Sequence, residues 1–530
     1  MDEARYVNAP ALEAFLEKAI APGGELDGEK NLTWATQLYG LKAGKKAVPV
    51  LMKYFLEEPP PPRETGARLS PRCTGAAWGL RDIAGPELIP ALEAGALGQD
   101  EAKARQAARI IGNMDHKDAE HSLVRLLQRL PVERKRMVAR ELMRRGSKDI
   151  TPALIEVYTQ AENSTKRTLL ETIGYIWGET PPGVPSMSRY ATTMDETAAA
   201  VLRPKVDAFV LKAIREEKDD VRWSAGRAAV RLKLDEAIPL IEDACAGDLS
   251  HGGLRVLQEF ANDAAVSALV RLSYVAEHEP EPQRALMQVL ERLARLESPL
   301  AAPRLLALLD RKEETRQGDV LIRDFAARAL GRIYPDGPKW QRKMGRAERD
   351  RVIADWKEFL AERGVAPSDA LALEDRTKVA RFLIKSAGRD TDRVLPPQKI
   401  AKLSAARALV ADSTDAGAVG MIGTIQERLA PLVRAEVEFL AEMAHAYAVD
   451  YRGTYPDPNL PLARAFANYI HLDPNRVSAN GDYRDPWGNP YRYSLPEREG
   501  RKWVEVRSFG PNGKDEDGQG DDIATRKATQ

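Results

Sequence analysis

DDVRWSAGRAAVRLKLDEAIPLIEDA, Asp219 to Ala244, is the stretch that decides the fold. Val221, Ala225, Ala228, Ala229 and Leu232 fall at helical spacing, and a second helix starts around AIPLI, so the stretch reads as a helical hairpin. The second helix carries a proline in its first turn, where the missing N–H costs nothing. The same proline followed by an apolar pair recurs in VPVL at Pro49, IPAL at Pro90, TPAL at Pro152 and IPLI at Pro239, and more loosely in APRL at Pro303. HSLVRLL at His121, DAFVLKAI at Asp207 and VSALVRL at Ser267 hold the same phase without proline. About eight units spaced roughly 30 residues apart follow. A hairpin cannot bury its apolar face alone, so neighbours stack into a continuous core with an extended surface suited to a protein partner.

Composition agrees with this reading. Hydrophobic residues make up 43% of the 530, charged residues 30% and aromatics only 6%, the balance of many amphipathic helices. The 79 basic and 79 acidic residues cancel, leaving no global field to draw the chain onto nucleic acid or anionic lipid. The basic stretch Arg129–Lys148 lacks interleaved aromatics, and its Met137, Val138, Leu142 and Met143 sit at helical spacing. It reads as a solvated helix face, and no nucleic-acid partner is expected. No run approaches the roughly 20 apolar residues of a membrane span. MDEARYVNAP has no export-signal features, as in a cytoplasmic protein or a mature exported one. Cys73 and Cys245 match neither a disulfide framework nor a metal spacing.

Two proline-rich insertions, Glu57–Cys73 and Gly178–Pro204, read as loops on one edge of the stack. Beyond the array, Val352, Ile353, Trp356, Phe359 and Leu360 mark an amphipathic helix that caps it, and helical material follows from about Thr377 to Ala411. The implied divisions are 1–345, 346–415 and 416–530. GAVGMIG, Gly417–Gly423, reads as a flexible link.

In the last division, Thr424–Tyr451 is a long helix, interrupted or restarted near Pro431, with a stripe of Leu432, Val437, Leu440, Met443 and Tyr447. RGTYPDP breaks it, LPLARAFANYI is a short second helix, and NPYRYSL and KWVEVRSFG alternate as two strands of a hairpin. Between helix and strands lies DPWGNPYRY, Asp485–Tyr493. Pro486 and Pro490 fix φ, Gly488 permits a positive φ, and Asp485 and Asn489 are suited to bond nearby backbone, so the chain turns sharply into a strand. The acidic loop SFGPNGKDEDGQGDDI offers the hard oxygen ligands that calcium takes.

The repeated hairpins over Ala11–Tyr334 resemble the HEAT-repeat family, in particular its short, bilin-lyase-like type. The words AVDYRGTYP, DPWGNPYRY and SFGPNGKDEDGQGDDI resemble the major pseudopilin of type II secretion systems over Leu429–Ile523. Together the resemblances imply a mainly α solenoid followed by a small α+β domain, a long helix on a short antiparallel sheet. The second implies a calcium site drawn from the Phe509 carbonyl, Asn512, Asp521 and Asp522. Asn512 stands where the family has an aspartate, and the residue separating the family's last acids is missing before Ile523, so either Asp517 substitutes as a ligand or the site is weak or lost. ADSTDAGAVGMIG before Thr424 is unlike the family's hydrophobic membrane helix, so assembly into a pseudopilin filament is not expected.

Catalytic motifs are not evident: the six histidines are scattered, and no Walker, G-x-S-x-G or G-x-G-x-x-G sequence is present. The expectation is a non-enzymatic protein-docking scaffold of the bacterial cell envelope, periplasmic or secreted, with a calcium-stabilised head linked to a secretion or pilus-type assembly. The alternatives are a chromophore-lyase or protein-modifying enzyme using the solenoid groove, and a cytoplasmic location.

Overall fold

The computed structural model describes residues 9–25, 31–57, 69–114, 116–145, 147–178, 194–247, 249–279, 281–310, 322–341, 344–366, 371–388, 396–466, 469–470, 472–473, 476–498, 501–516 and 519–528. They form two compact units, Met1–Leu240 and Ile241–Gln530. The protein is mainly α with one small antiparallel sheet.

In the first unit, α1 (Ala9–Ile20) leads into α2 (Leu32–Ala43) and α3 (Val48–Glu57). There follow α4 (Pro71–Ile83), α5 (Ile89–Leu97), α6 (Glu101–Asn113), α7 (Lys117–Arg129) and α8 (Val132–Arg145). The unit closes with α9 (Thr151–Gln160), α10 (Asn163–Trp177), α11 (Glu196–Glu216) and α12 (Asp219–Leu232). The even-numbered helices pack each on the next even one from α2 to α12, while α3, α5, α7 and α9 form a second row, each against the even helix that follows it. Two such rows are what hairpins with one apolar stripe must build. Glycine permits the close approach of α2 and α4: a Cβ on Gly75 of α4 would collide with the Thr33 carbonyl oxygen of α2, and one on Gly40 of α2 would lie 3.0 Å from the Gly79 Cα of α4.

The proline phase is confirmed helix by helix. Pro49, Pro90 and Pro152 stand in the first turns of α3, α5 and α9, as do Pro239 in α13 (Ala237–Cys245) and Pro303 in the helix Ala302–Leu309. A 3-10 turn immediately precedes four of these five helices. Val221, Ala225, Ala228, Ala229 and Leu232 are all buried, and Lys233 ends α12 in the left-handed conformation. In α8, Val138 and Leu142 are buried while Arg134 Nη2 donates to the Gln99 carbonyl at 2.9 Å, so part of the basic stretch caps the neighbouring helix.

Neither insertion is wholly a loop. Ser70 caps α4 by accepting from the Cys73 amide, so Pro71–Cys73 is already helical. α11 begins at Glu196 and runs through Pro204, carried by the helix-favouring ETAAAVLR. The parts between, 58–68 and 179–193, lie outside the described residues.

The second unit continues with α14 (His251–Phe260), α15 (Asp263–Ala276), α16 (Pro282–Leu296), α17 (Ala302–Leu309), α18 (Ile322–Ile333) and α19 (Arg346–Ala361). The row α14, α16, α18 repeats the earlier pattern, and α19 packs on α17 with Val352, Ile353, Trp356 and Leu360 buried. The next helices, α20 (Leu373–Ala387) and α21 (Pro396–Val410), return to the array: α20 packs on α15 and α21 packs on α20. Charge fastens this return. Arg271 of α15 bonds Glu242 at 2.5 Å and Asp375 at 2.9 Å, and buried Lys402 of α21 bonds Glu279 at 2.9 Å.

α22 (Ala416–Asp450) is one continuous helix of 35 residues packed on α21. Gly417–Gly423 is therefore helix and not a flexible link. Asp415 caps it by accepting from the Ala418 amide, and Arg428 donates to the Ile384 carbonyl of α20 at 2.9 Å. Tertiary support outweighs the weak glycine propensity. Pro431 sits inside the helix on its exposed side and does not interrupt it. The buried stripe is Ile425, Leu429, Val433, Val437, Leu440, Ala441, Ala444 and Ala448. The expected Leu432, Met443 and Tyr447 flank it, half-buried.

The short second helix is only α23 (Leu462–Ala465). Strands β1 (Arg492–Ser494), β2 (Glu497–Arg498), β3 (Arg501–Ser508) and β4 (Ile523–Ala528) complete the unit. Central β3 pairs antiparallel with each of the others, with Val506 opposite Tyr493 on β1 and Thr525 on β4. The expected hairpin is β1 and β3, whereas β4, beyond the acidic loop, is an addition. α22 packs on β3 and β4. Among the described residues no helix is long and apolar enough to cross a membrane.

Candidate functional site

The acidic loop joins β3 to β4, and the DPWGN turn is its foundation. Asp485 is buried, its Oδ1 accepting from the amides of Trp487 at 3.0 Å and Asn489 at 2.9 Å. Its Oδ2 accepts from Ser508 Oγ, at the end of β3, at 2.6 Å. Gly488 takes φ +96°, which lets the turn close. Asn489 Nδ2 then donates to the Gly510 carbonyl at 2.8 Å, and Ser508 Oγ accepts from the Gly510 amide at 3.2 Å. The turn thus grips the first residues of the loop. Burial raises the Asp485 pKa, and the bonds from Ser508, Asn489 and Trp487 oppose that shift.

A second polar cluster fixes the turn to α22. Glu436 receives both Arg476 guanidinium nitrogens, at 2.7 and 2.9 Å, and the hydroxyls of Tyr483 at 2.8 Å and Tyr491 at 2.5 Å. The guanidinium lies 4.6 Å over the Tyr483 ring. Both phenol pKa values are raised, by burial first and then by Glu436. Burial opposes the Arg476 charge, but the bonds from Glu436 prevail and raise its pKa.

Within the loop, Asp521 Oδ2 accepts from the Asn512 amide at 2.9 Å, and Asp522 Oδ2 from the Glu516 amide at 2.8 Å. Glu516 Oε2 in turn accepts from the Asp521 amide at 3.2 Å. Of the expected ligands, Asn512, Asp521 and Asp522 are therefore drawn into one interlocked loop. Phe509 is buried at its base, with Arg492 5.6 Å over its ring. Asp517 lies outside the described residues. Glu516, one of the acids the sequence offers to calcium though not one of the ligands the resemblance implies, joins the same network. Asp515 is turned away to Arg507, at 2.5 Å.

Among the described residues no group of three His, Cys, Asp or Glu side chains is gathered to hold a metal ion. Glu516, Asp521 and Asp522 are hard oxygen donors in a loop with glycines at 510, 513 and 520 in positive φ, but they are not drawn together around a common point. Cys73 and Cys245 are buried thiols that form no disulfide.

Residues 422–526 match the family model of type II secretion system protein G. The stretch covers most of α22, the turn, the acidic loop and the sheet as far as the middle of β4, in agreement with the resemblance read over Leu429–Ile523. No curated protein matches the sequence. Among solved structures, human deoxyhypusine hydroxylase in complex with glycerol overlaps 59% of this chain and 100% of its own, at 17% identity and a TM-score of 0.23. A triple mutant of Kap121p overlaps 84% of this chain at 12% identity and a TM-score of 0.33, and this chain spans about half (49%) of its length. Both overlaps are too loose to define a common fold.

Proposed function

We propose that this protein is a non-enzymatic scaffold of the bacterial cell envelope, in which stacked helical hairpins dock a protein partner and present a pseudopilin-like head whose acidic loop takes calcium. The match of residues 422–526 to type II secretion system protein G carries the reading. Secretion machinery works at the envelope, which supports that placement. Where the resembled family has a hydrophobic membrane helix, this chain has the first turns of α22, packed on α21 and tied to α20 through Arg428. The head is thereby mounted on helices of its own chain.

Calcium would supply positive charge to this acidic loop. Its expected donors, the Phe509 carbonyl, Asn512, Asp517, Asp521 and Asp522, with Glu516 beside them, would close around the ion on binding, while Asp485 and Asn489 position the start of the loop. The experiment is a calcium titration of the full chain by calorimetry, paired with retention of envelope proteins in calcium or in chelator. Calcium is expected to bind, raise the melting temperature and favour retention of a defined partner, with all three effects lost in Asp522→Ala. An unmoved melting temperature at about 1 mM calcium, with no envelope protein retained in either condition, overturns the reading.

A further inference from the structure

On the face shared by α14 and α16 lies a cavity of 540 Å³, far from the acidic loop in sequence and built around a cation. Arg292 of α16 is only 4% exposed, and its Nη1 donates to Gln258 Oε1 at 3.0 Å. Its Nη2 stands 3.0 and 3.2 Å from the two ring nitrogens of His251, an arrangement that places the guanidinium against the imidazole and satisfies at most one of them. The Nε is buried with no hydrogen-bond partner.

The nearby acids are already engaged. Glu259 accepts from Arg255 at 3.0 Å and Glu291 from Arg295 at 2.5 Å, and Arg292 has no ion pair with a carboxylate among the described residues. Two other buried arginines do have one: Arg304 pairs with Glu277 at 2.8 Å and Arg507 with Asp515 at 2.5 Å. Burial lowers the Arg292 pKa; Glu291 and Glu259 oppose that shift and Arg295 and Arg255 reinforce it. A desolvated guanidinium without a counter-charge is costly unless something anionic joins it.

We propose that this cavity binds a phosphoryl group, with Arg292 as its central anchor, Arg255 and Arg295 at its mouth, and His251 and Gln258 as orienting partners. Three arginines against two glutamates leave the cavity one net positive charge for an anion to meet. A tetrahedral oxyanion also offers enough acceptors for donors from two helices, whereas a carboxylate offers two oxygens. The free anion and a small phosphate monoester share this chemistry, so both are tested.

The full chain is titrated by calorimetry with inorganic phosphate, glycerol 3-phosphate and, as a control, acetate, at constant ionic strength. Saturable binding of phosphate or the monoester is expected, weakened at least about tenfold in Arg295→Gln and abolished in Arg292→Met, which replaces the buried cation with an apolar chain of similar length. Tighter binding of the monoester assigns a phosphate ester as the natural source, and tighter phosphate binding the free anion. Circular dichroism melting of both variants guards against misfolding, and Arg295→Gln, on the exposed rim, keeps the test intact if Arg292→Met unfolds. No binding at about 10 mM phosphate, acetate binding as tightly as phosphate, or phosphate binding unchanged in both variants overturns the proposal.

Discussion

Asp485 shows how much one buried carboxylate organises. It holds two amides of its own turn and the hydroxyl of Ser508, so Asp485→Ala strands several buried polar groups at once. A loss of about 2–3 kcal/mol is expected in urea unfolding. Glu436→Gln breaks a pair in which both side chains are 11% exposed, with an expected cost of about 3 kcal/mol in the same assay. The tyrosines beside it set a pH dependence. Their folded pKa values are raised, so the unfolded chain releases phenolic protons first, near about pH 10, and stability present below that pH falls as pH rises through it. Melting temperatures measured from neutral to alkaline pH should fall less steeply in the Tyr483→Phe, Tyr491→Phe double variant than in the parent. At this scale the sequence was least legible. That Asp485 and Asn489 bond backbone was readable from residue type, but their reach to Ser508 and Gly510 depends on β3 returning beside the turn. The same holds for Glu436 and Arg476, 40 residues apart.

Elements were far more legible, because apolar spacing reports burial directly. Each of the five repeated prolines lies in the first turn of a helix, and all five apolar residues read in α12 are buried. The failures have one cause. Gly417–Gly423 and Pro431 are poor helix residues by local preference, yet both lie within α22, whose buried stripe and contacts with α20 and α21 decide the outcome. β4 escaped notice because the acidic loop hides its pairing with β3. A test follows from Gly420 and Gly423, where an added Cβ meets nothing within 4 Å. Alanine at either position should stabilise the protein by about 0.5–1 kcal/mol, measured by thermal unfolding. A flexible link would give no such gain.

At the scale of the whole molecule, the compact unit Ile241–Gln530 contains both array helices and the pseudopilin-like head. Its α20 and α21 are held to the array by Arg271, Lys402 and Lys385, and α22 rises from them into the sheet. The proposed function requires a head that is rigidly mounted and an acidic loop that responds to calcium. Hydrogen exchange on the full chain, with and without about 1 mM calcium, tests both halves together. Slow exchange is expected at Gly420 and Gly423 in either condition, with a calcium-induced gain of protection across 509–522 that extends to the Asp485–Asn489 turn. Rapid exchange at those two glycines, together with a loop and turn indifferent to calcium, would contradict the proposed function.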